Sequence, residues 1–127
     1  MSTLVNLVGW FEIYVADMYR AKTFYEKVFK RNLIEIPAPD AGMSMMMFAN
    51  DIKTSGATGA LVKHPKRQPS TQGTLVYFSC EDCATETALA TQHGGIVFKE
   101  KFNIGANGFI AIIGDSEGNA IGLHSFQ

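Results

Sequence analysis

The sequence predicts an α+β protein built from two copies of a βαβββ unit, because much of the chain repeats its own pattern. Residues 11–17 are an apolar segment that ends in an aspartate, and residues 76–82 repeat this segment 65 positions later (82 − 17). At the same offset, the apolar residues 45–48 correspond to residues 110–113. A strand–helix–strands unit that occurs twice implies a pseudo-symmetric protein. We expect the functional site on the surface that its two halves share.

The first half contains the four strands and the helix of one unit. Residues 4–15 alternate as a half-buried strand does, and Asp17 is a suitable N-cap for the helix that follows. Apolar side chains then recur at helical spacing between Met18 and Phe29. This module covers about residues 4–63 of what we expect to be a single domain. Its remaining strands are predicted at residues 33–36, 43–48 and 59–63.

The second half follows a polar connection and repeats the order. Residues 64–73 are rich in turn-forming residues and join the two modules. A strand at residues 74–80 leads into a helix over about residues 82–92, which Gly94 and Gly95 end. Module two covers about residues 74–126. Its remaining strands are predicted at residues 96–99, 109–113 and 120–125, with a turn at 115–119.

Composition argues against several classes of partner. Hydrophobic residues make up 46% of the chain, enough for a packed core, and the formal net charge is −1 at pH 7. No long-range field therefore directs the protein to nucleic acid or to an anionic membrane. The apolar runs are shorter than the ~18 residues of a membrane span, and no secretory signal is evident. With two cysteines and no disulfide framework, we expect a soluble, cytoplasmic protein.

Two segments of the chain resemble the vicinal oxygen chelate superfamily, whose fold is shared by glyoxalase I, bleomycin-resistance proteins and extradiol dioxygenases. The small glyoxalase-related group is the most similar. The resemblance implies two modules that form a curved mixed sheet around a cavity, a small-molecule ligand in that cavity, and a homodimer. It does not imply one reaction, because the reactions of the superfamily differ widely. The segments are residues 10–17, with Arg20-Ala21 and Phe24-Tyr25 beyond them, and residues 115–125.

Enzymes of this superfamily typically hold a divalent metal with His and Glu side chains from the first and last strands of each module. Glu12 and His124 each lie two residues from one of these positions, on the same strand face. With a third ligand, such as Tyr77 or His64, they would form a shifted site. Two such ligands are too few for a tight site, so we predict no metal and no other cofactor. The aligned positions carry side chains that do not coordinate metals: Trp10, one of residues 60–62, Leu75 and Gly122.

The favoured hypothesis is a metal-independent small-molecule-binding protein. An apolar, aromatic lining with few polar groups is typical of such pockets, and one carboxylate would suit a planar or weakly cationic ligand. A second hypothesis is a lyase or isomerase that resembles lactoylglutathione lyase, or a dioxygenase-like enzyme. In the lyase, Glu12 would remove a proton α to a carbonyl and His124 would assist, with or without a divalent metal. A third is an interaction module. The predicted ligand contacts are Trp10, Glu12, Tyr14, Met45, Met47, Tyr77 and His124.

One further motif has the spacing of a redox dithiol. Residues 80–83 read Cys-Glu-Asp-Cys at a predicted strand-to-helix junction. The acidic residues Glu81 and Asp82 disfavour a thiolate, and there is no second cysteine pair to complete a zinc site. We therefore interpret the two cysteines as structural.

Overall fold

The computed structural model describes residues 6–51 and 53–127, and both halves have the predicted βαβββ order. The first half consists of β1 (Phe11–Tyr14), α1 (Met18–Phe29), β2 (Leu33–Ile36), β3 (Ser44–Phe48) and β4 (Gly59–Lys63). The second half consists of β5 (Tyr77–Ser79), α2 (Cys83–Gln92), β6 (Ile96–Asn103), a 3-10 turn at Gly105–Asn107, β7 (Phe109–Gly114) and β8 (Ala120–Ser125). The α+β class of two such modules is confirmed.

Each module forms a four-stranded mixed sheet. The strand orders are β1-β4-β3-β2 and β5-β8-β7-β6, so the two sheets have the same topology. The first strand of each module pairs in parallel with the last, and the other pairs are antiparallel. Within the described residues, β1 and β5 are both edge strands and the sheets do not close into a barrel.

Three strands differ by more than one residue from their sequence predictions, and their partners explain why. The structure begins β1 at Phe11 rather than at residue 4, because β4 offers partners only from Gly59 to Val62. Residues 4 and 5 lie outside the described residues. Similarly, β5 is limited to the three residues that pair with β8. β6 instead continues to Asn103, because pairing with β7 extends through two register shifts.

The two helices begin and end where local chemistry predicts. The Asp17 side chain accepts a hydrogen bond from the Arg20 backbone N–H at 3.0 Å, and the Asp82 side chain accepts one from the Ala84 backbone N–H at 3.0 Å. Gly94 follows α2 with a φ of 97°, which suits glycine. The longer helix has 12 residues, and in the described part of the chain no helix has the length and apolar character that crossing a membrane requires.

The two modules share one hydrophobic core. One face of each sheet contributes residues to it, with Ile13 and Leu61 from the first and Ile113 and Leu123 from the second. Tyr25 of α1 is fully buried between the modules, and its ring packs at 6.0 Å from that of Phe78. The sheet faces opposite this core are called the open faces below.

A polar clamp also joins the modules. The turn between β7 and β8 places the Glu117 carboxylate on the start of α1, where Oε1 accepts the backbone N–H groups of Ala16 and Asp17 at 2.9 and 2.8 Å. The Arg20 guanidinium donates to both carboxylate oxygens of Glu117. Burial opposes ionisation of Glu117, but these hydrogen bonds outweigh it and lower its pKa. The predicted hairpin turn at 115–119 is therefore also an intermodule contact.

Candidate ligand-binding site

Five of the predicted ligand contacts belong to the first sheet or lie just before it. Glu12 and Tyr14 alternate with the core residue Ile13 along β1, so both lie on the open face. Met45 and Met47 reach the same face through their register with β4. Met45 is buried with Ala60 and Val62 in a small second apolar cluster, against which Tyr14 packs. This sheet therefore presents a partly filled apolar surface with Glu12 beside it.

Polar partners fix the two side chains at the start of β1. The Trp10 Nε1–H donates to the Glu12 Oε2 at 3.2 Å, and both residues are exposed. Farther along the strand, the Arg67 guanidinium carbon lies 5.8 Å from the centroid of the Tyr14 ring, a cation–π contact. Sequence analysis considered His64 of this loop as a possible third ligand beside Glu12, but it did not predict the contact between Arg67 and Tyr14.

The remaining predicted contacts, Tyr77 and His124, lie on the open face of the second sheet. Tyr77 pairs with Gly122, and His124 pairs with Ser79 across the β5–β8 ladder. The His124 Nε2–H donates to the backbone carbonyl of Asn107 at 2.6 Å, which fixes the imidazole on its own module. Glu12 and His124 share no hydrogen bond in the structure of residues 6–51 and 53–127, so the structure does not join the two side chains as an acid–base pair.

Gly122 is a position that sequence analysis aligned with a metal-ligand position of the superfamily. The Tyr77 ring lies directly against Gly122, and a Cβ at residue 122 would overlap its aromatic carbons. Tyr77 therefore fills the space that a coordinating side chain at residue 122 would need. In the described residues, no group of three or more His, Cys, Asp or Glu side chains is placed to hold a metal ion. The residues at this position do not fit a divalent metal.

The Cys-x-x-Cys segment lies at the β5–α2 junction. Cys83 is fully buried, and its backbone N–H donates to the Ser125 hydroxyl at 3.0 Å. Burial and the nearby Glu86 carboxylate raise the pKa of Cys80 to about 12. A thiol with this pKa is protonated at neutral pH and is a poor nucleophile, which agrees with a structural interpretation.

Two concave regions lie near these residues. The larger, called the intermodule cavity below, has a volume of about 590 Å³ and lies between the edge strands β1 and β5. Phenylalanine rings from both modules line it, and Tyr77 is its only residue from the predicted set. The second is a shallow depression of about 410 Å³ beside Met45, with Ile36 and Met43 in its wall. Sequence analysis predicted a cavity between the modules but not the phenylalanine lining of this one, because its residues come from distant parts of the chain.

The sequence model of the Glyoxalase/Bleomycin resistance protein/Dioxygenase superfamily matches residues 7–123. The chain belongs to this superfamily. A comparison with curated protein sequences gives no match.

Solved structures share the fold. A mutant of glyoxalase I from Zea mays aligns with a TM-score of 0.70 and 17% identity over 93% of this chain, which spans only 46% of the maize protein. TnmS3, an antibiotic-binding protein from Streptomyces sp. CB03234, aligns with a TM-score of 0.69 and 24% identity over 98% of both chains. A glyoxalase/bleomycin resistance protein from the same Streptomyces aligns with a TM-score of 0.67 and 25% identity, over 92% of this chain and 98% of that one.

Proposed function

We propose that the protein binds a small organic molecule on its open faces without a metal. The observation that carries this proposal is the contact between Tyr77 and Gly122, which replaces a metal-ligand position with an aromatic surface. Tyr77 is 46% exposed and Trp10 is 40% exposed, so both rings are available to stack on a ligand. The Glu12 carboxylate supplies an acceptor for a donor group or a positive charge. The proposed contacts are Trp10, Glu12, Tyr14, Met45, Met47, Tyr77 and His124.

Similarity supports a binding role. TnmS3 is named as an antibiotic-binding protein and aligns over nearly the whole of both chains, whereas this chain spans less than half of the maize glyoxalase I. A single pair of modules is therefore enough for the kind of protein that TnmS3 represents. By this analogy we propose sequestration of a planar or weakly cationic molecule rather than its conversion.

We also propose a homodimer. The second sheet carries several exposed apolar side chains on or beside its open face, and a group of such residues marks an interaction surface. A second copy of the chain that covers this face would bury these side chains and enclose the ligand.

Analytical ultracentrifugation should give a dimer for the native protein and a monomer for Phe102→Asp, while Tyr19→Asp on the exposed face of α1 should stay dimeric. A native monomer at micromolar concentration would contradict the proposal. The exposed side chains are Tyr77, Ile96, Phe98, Phe102, Ile104 and Phe126.

We further propose a cytoplasmic location, supported by the two free cysteines. Cys80 and Cys83 are adjacent in the fold but do not form a disulfide, as is usual for thiols in a reducing compartment.

The alternative is a lyase or isomerase in which Glu12 acts as base and His124 assists. The geometry favours it less, because Trp10 hydrogen-bonds Glu12 and the Asn107 carbonyl holds His124.

A thermal-shift screen against metabolites and antibiotics would identify ligands, and isothermal titration would then compare the native protein with Glu12→Gln. We expect weaker binding in Glu12→Gln and no chemical change in the bound molecule. Turnover of a ligand that Glu12→Gln abolishes without changing affinity would establish the enzyme instead.

A further inference from the structure

The intermodule cavity lies between the modules, and of the proposed open-face contacts it includes Tyr77 alone. Its floor consists of four phenylalanine rings, two of which, those of Phe29 and Phe78, stack with their centroids 4.4 Å apart. A volume of about 590 Å³ is within the range of small-molecule pockets. The aromatic rings come from both modules: Phe11, Phe29, Phe48 and Phe78.

Pseudo-symmetry shows why this space is open. In each module a loop connects the third and fourth strands. In module two that loop is the turn whose Glu117 hydrogen-bonds the start of α1 and fills the junction. In module one, residues 50, 51 and 54–58 of the corresponding loop line the cavity. No hydrogen bond in the described residues connects this loop to β5 or α2, so the counterpart of the clamp is absent and a cavity remains.

Glu86 gives the cavity a specific chemistry. The N-caps Asp17 and Asp82 are 65 residues apart, and the same offset makes Glu86 of α2 the counterpart of Ala21, which is fully buried in α1. A carboxylate therefore stands where the other module has a methyl group. Glu86 lines the cavity, and its Oε1 is buried without a hydrogen-bond partner among the described residues. Because an unpartnered buried carboxylate oxygen is costly, this position calls for a donor.

The charged groups around the cavity do not supply that donor. The Arg31 guanidinium lies on the cavity wall, but its Nη1–H donates to the Ala49 carbonyl at 2.9 Å, and Arg31 forms no ion pair with Glu86. The neighbouring Cys80 thiol is a weak donor that is shared between the Phe78 carbonyl and the Glu86 carboxylate, and it leaves the Glu86 Oε1 without a partner in the described part of the chain. The remaining charged residue of the wall is Asp51, whose carboxylate cannot donate to Glu86. Because Glu86 lines the cavity, a ligand bound there can donate to its carboxylate.

We propose that the intermodule cavity binds a small monovalent organic cation with an aromatic or alkyl body. The N–H groups of the cation would hydrogen-bond Glu86, and its body would pack against the phenylalanine floor, where cation–π contact also favours a positive charge. This site shares only Tyr77 with the proposed open-face contacts, and its occupancy would not require Glu12 or His124.

The proposal can be tested with three probes of similar shape: phenethylamine, 2-phenylethanol and 3-phenylpropionate. Isothermal titration should show saturable one-to-one binding of the amine, at least about tenfold tighter than binding of the alcohol, with none of the anion. Glu86→Gln should weaken amine binding by about tenfold or more. The control Glu100→Gln, at an exposed carboxylate of β6 outside the cavity wall, should leave it within about twofold. Backbone amide shifts in a two-dimensional NMR titration should move at residues 54–58 and 76–79.

Glu86→Ala provides a second variant, because the counterpart position in module one is already alanine. We expect its ligand-free form to melt at a higher temperature than the native protein, since a buried unpartnered carboxylate is removed, and to lose the stabilisation by phenethylamine. The proposal would be overturned if the amine showed no saturable binding at millimolar concentration. Equal affinity for the alcohol, unchanged affinity in both Glu86 variants, or NMR shifts confined to the open faces would also reject it.

Discussion

The hydroxyl of Tyr25 offers a sharp test of how the two modules are held together. Tyr25 has no exposed surface, and its hydroxyl donates to the Asp115 Oδ2 at 2.6 Å across the module boundary. Asp115 also accepts the backbone N–H groups of Glu117 and Asn119, which shape the turn. Tyr25→Phe removes one buried hydrogen bond to a carboxylate and keeps the ring. Such bonds contribute about 1.5–3 kcal/mol, so we expect the free energy of unfolding to fall by about 2 kcal/mol.

The size of this effect should depend on pH with a definite sign. Burial, followed by the charge of Asp115 and the hydrogen bond to it, raises the pKa of Tyr25 well above 10. The folded protein therefore keeps the phenolic proton at pH values where the unfolded chain loses it, at about pH 10 and above. The contribution of Tyr25 is complete below that pH and decreases as the pH rises. The difference in the free energy of unfolding between the native protein and Tyr25→Phe should be constant from pH 7 to 9 and then decrease.

Urea denaturation at several pH values measures both quantities, and thermal melting at pH 7 should show a fall of roughly 5–10 °C for Tyr25→Phe. Tyr19→Phe is a matched control, because Tyr19 lies on the same helix and is 80% exposed. It should change stability by less than about 0.5 kcal/mol. A Tyr25→Phe variant as stable as the native protein at pH 7, or a deficit that grows above pH 10, would refute this reasoning.

Two further substitutions probe the clamp and the Tyr77–Gly122 contact. Glu117→Gln should lower the free energy of unfolding by about 1–3 kcal/mol at pH 7. Because the folded pKa of Glu117 is lowered, this loss of stability should be complete above about pH 5 and disappear as the pH falls through that lowered value. Urea denaturation from pH 3 to 7 measures this dependence, and a loss that grows as the pH falls would contradict it. Gly122→Ala should destabilise the protein by about 1–3 kcal/mol, because its methyl group overlaps the Tyr77 ring. Tyr77→Ala in the same chain should recover most of this loss, and a loss unaffected by Tyr77→Ala would show that the overlap is not the cause.

Local signals in the sequence were sufficient for the fold. The spacing between Asp17 and Asp82 marks equivalent helix starts, and each caps its helix through the hydrogen bond that the residue type predicts. Strand lengths were harder, because a strand extends only as far as its partner does. Residues 6–10 were predicted as part of the first strand, but they have no partner beyond Gly59 and remain exposed.

The site was less accessible to sequence analysis, because its decisive contacts join distant residues. Tyr77 was predicted as a ligand contact and Gly122 as a position unable to coordinate a metal, but their mutual contact is a tertiary feature. Glu117 was interpreted as part of a hairpin turn, although it bonds residues about a hundred positions away. Sequence analysis did not single out Glu86. The internal repeat contained a usable signal in this case, since the 65-residue offset aligns Glu86 with Ala21.

The central claim is that this superfamily member binds its ligand without a metal. Its most direct test is isothermal titration of Zn²⁺, Ni²⁺ and Mn²⁺ into chelator-treated protein at pH 7, with Glu12→Gln and His124→Ala as comparison variants. We expect no saturable stoichiometric binding of any of the three ions, and the same small-molecule affinity with and without chelator. One ion bound tightly per chain, with binding lost in both variants, would contradict the account.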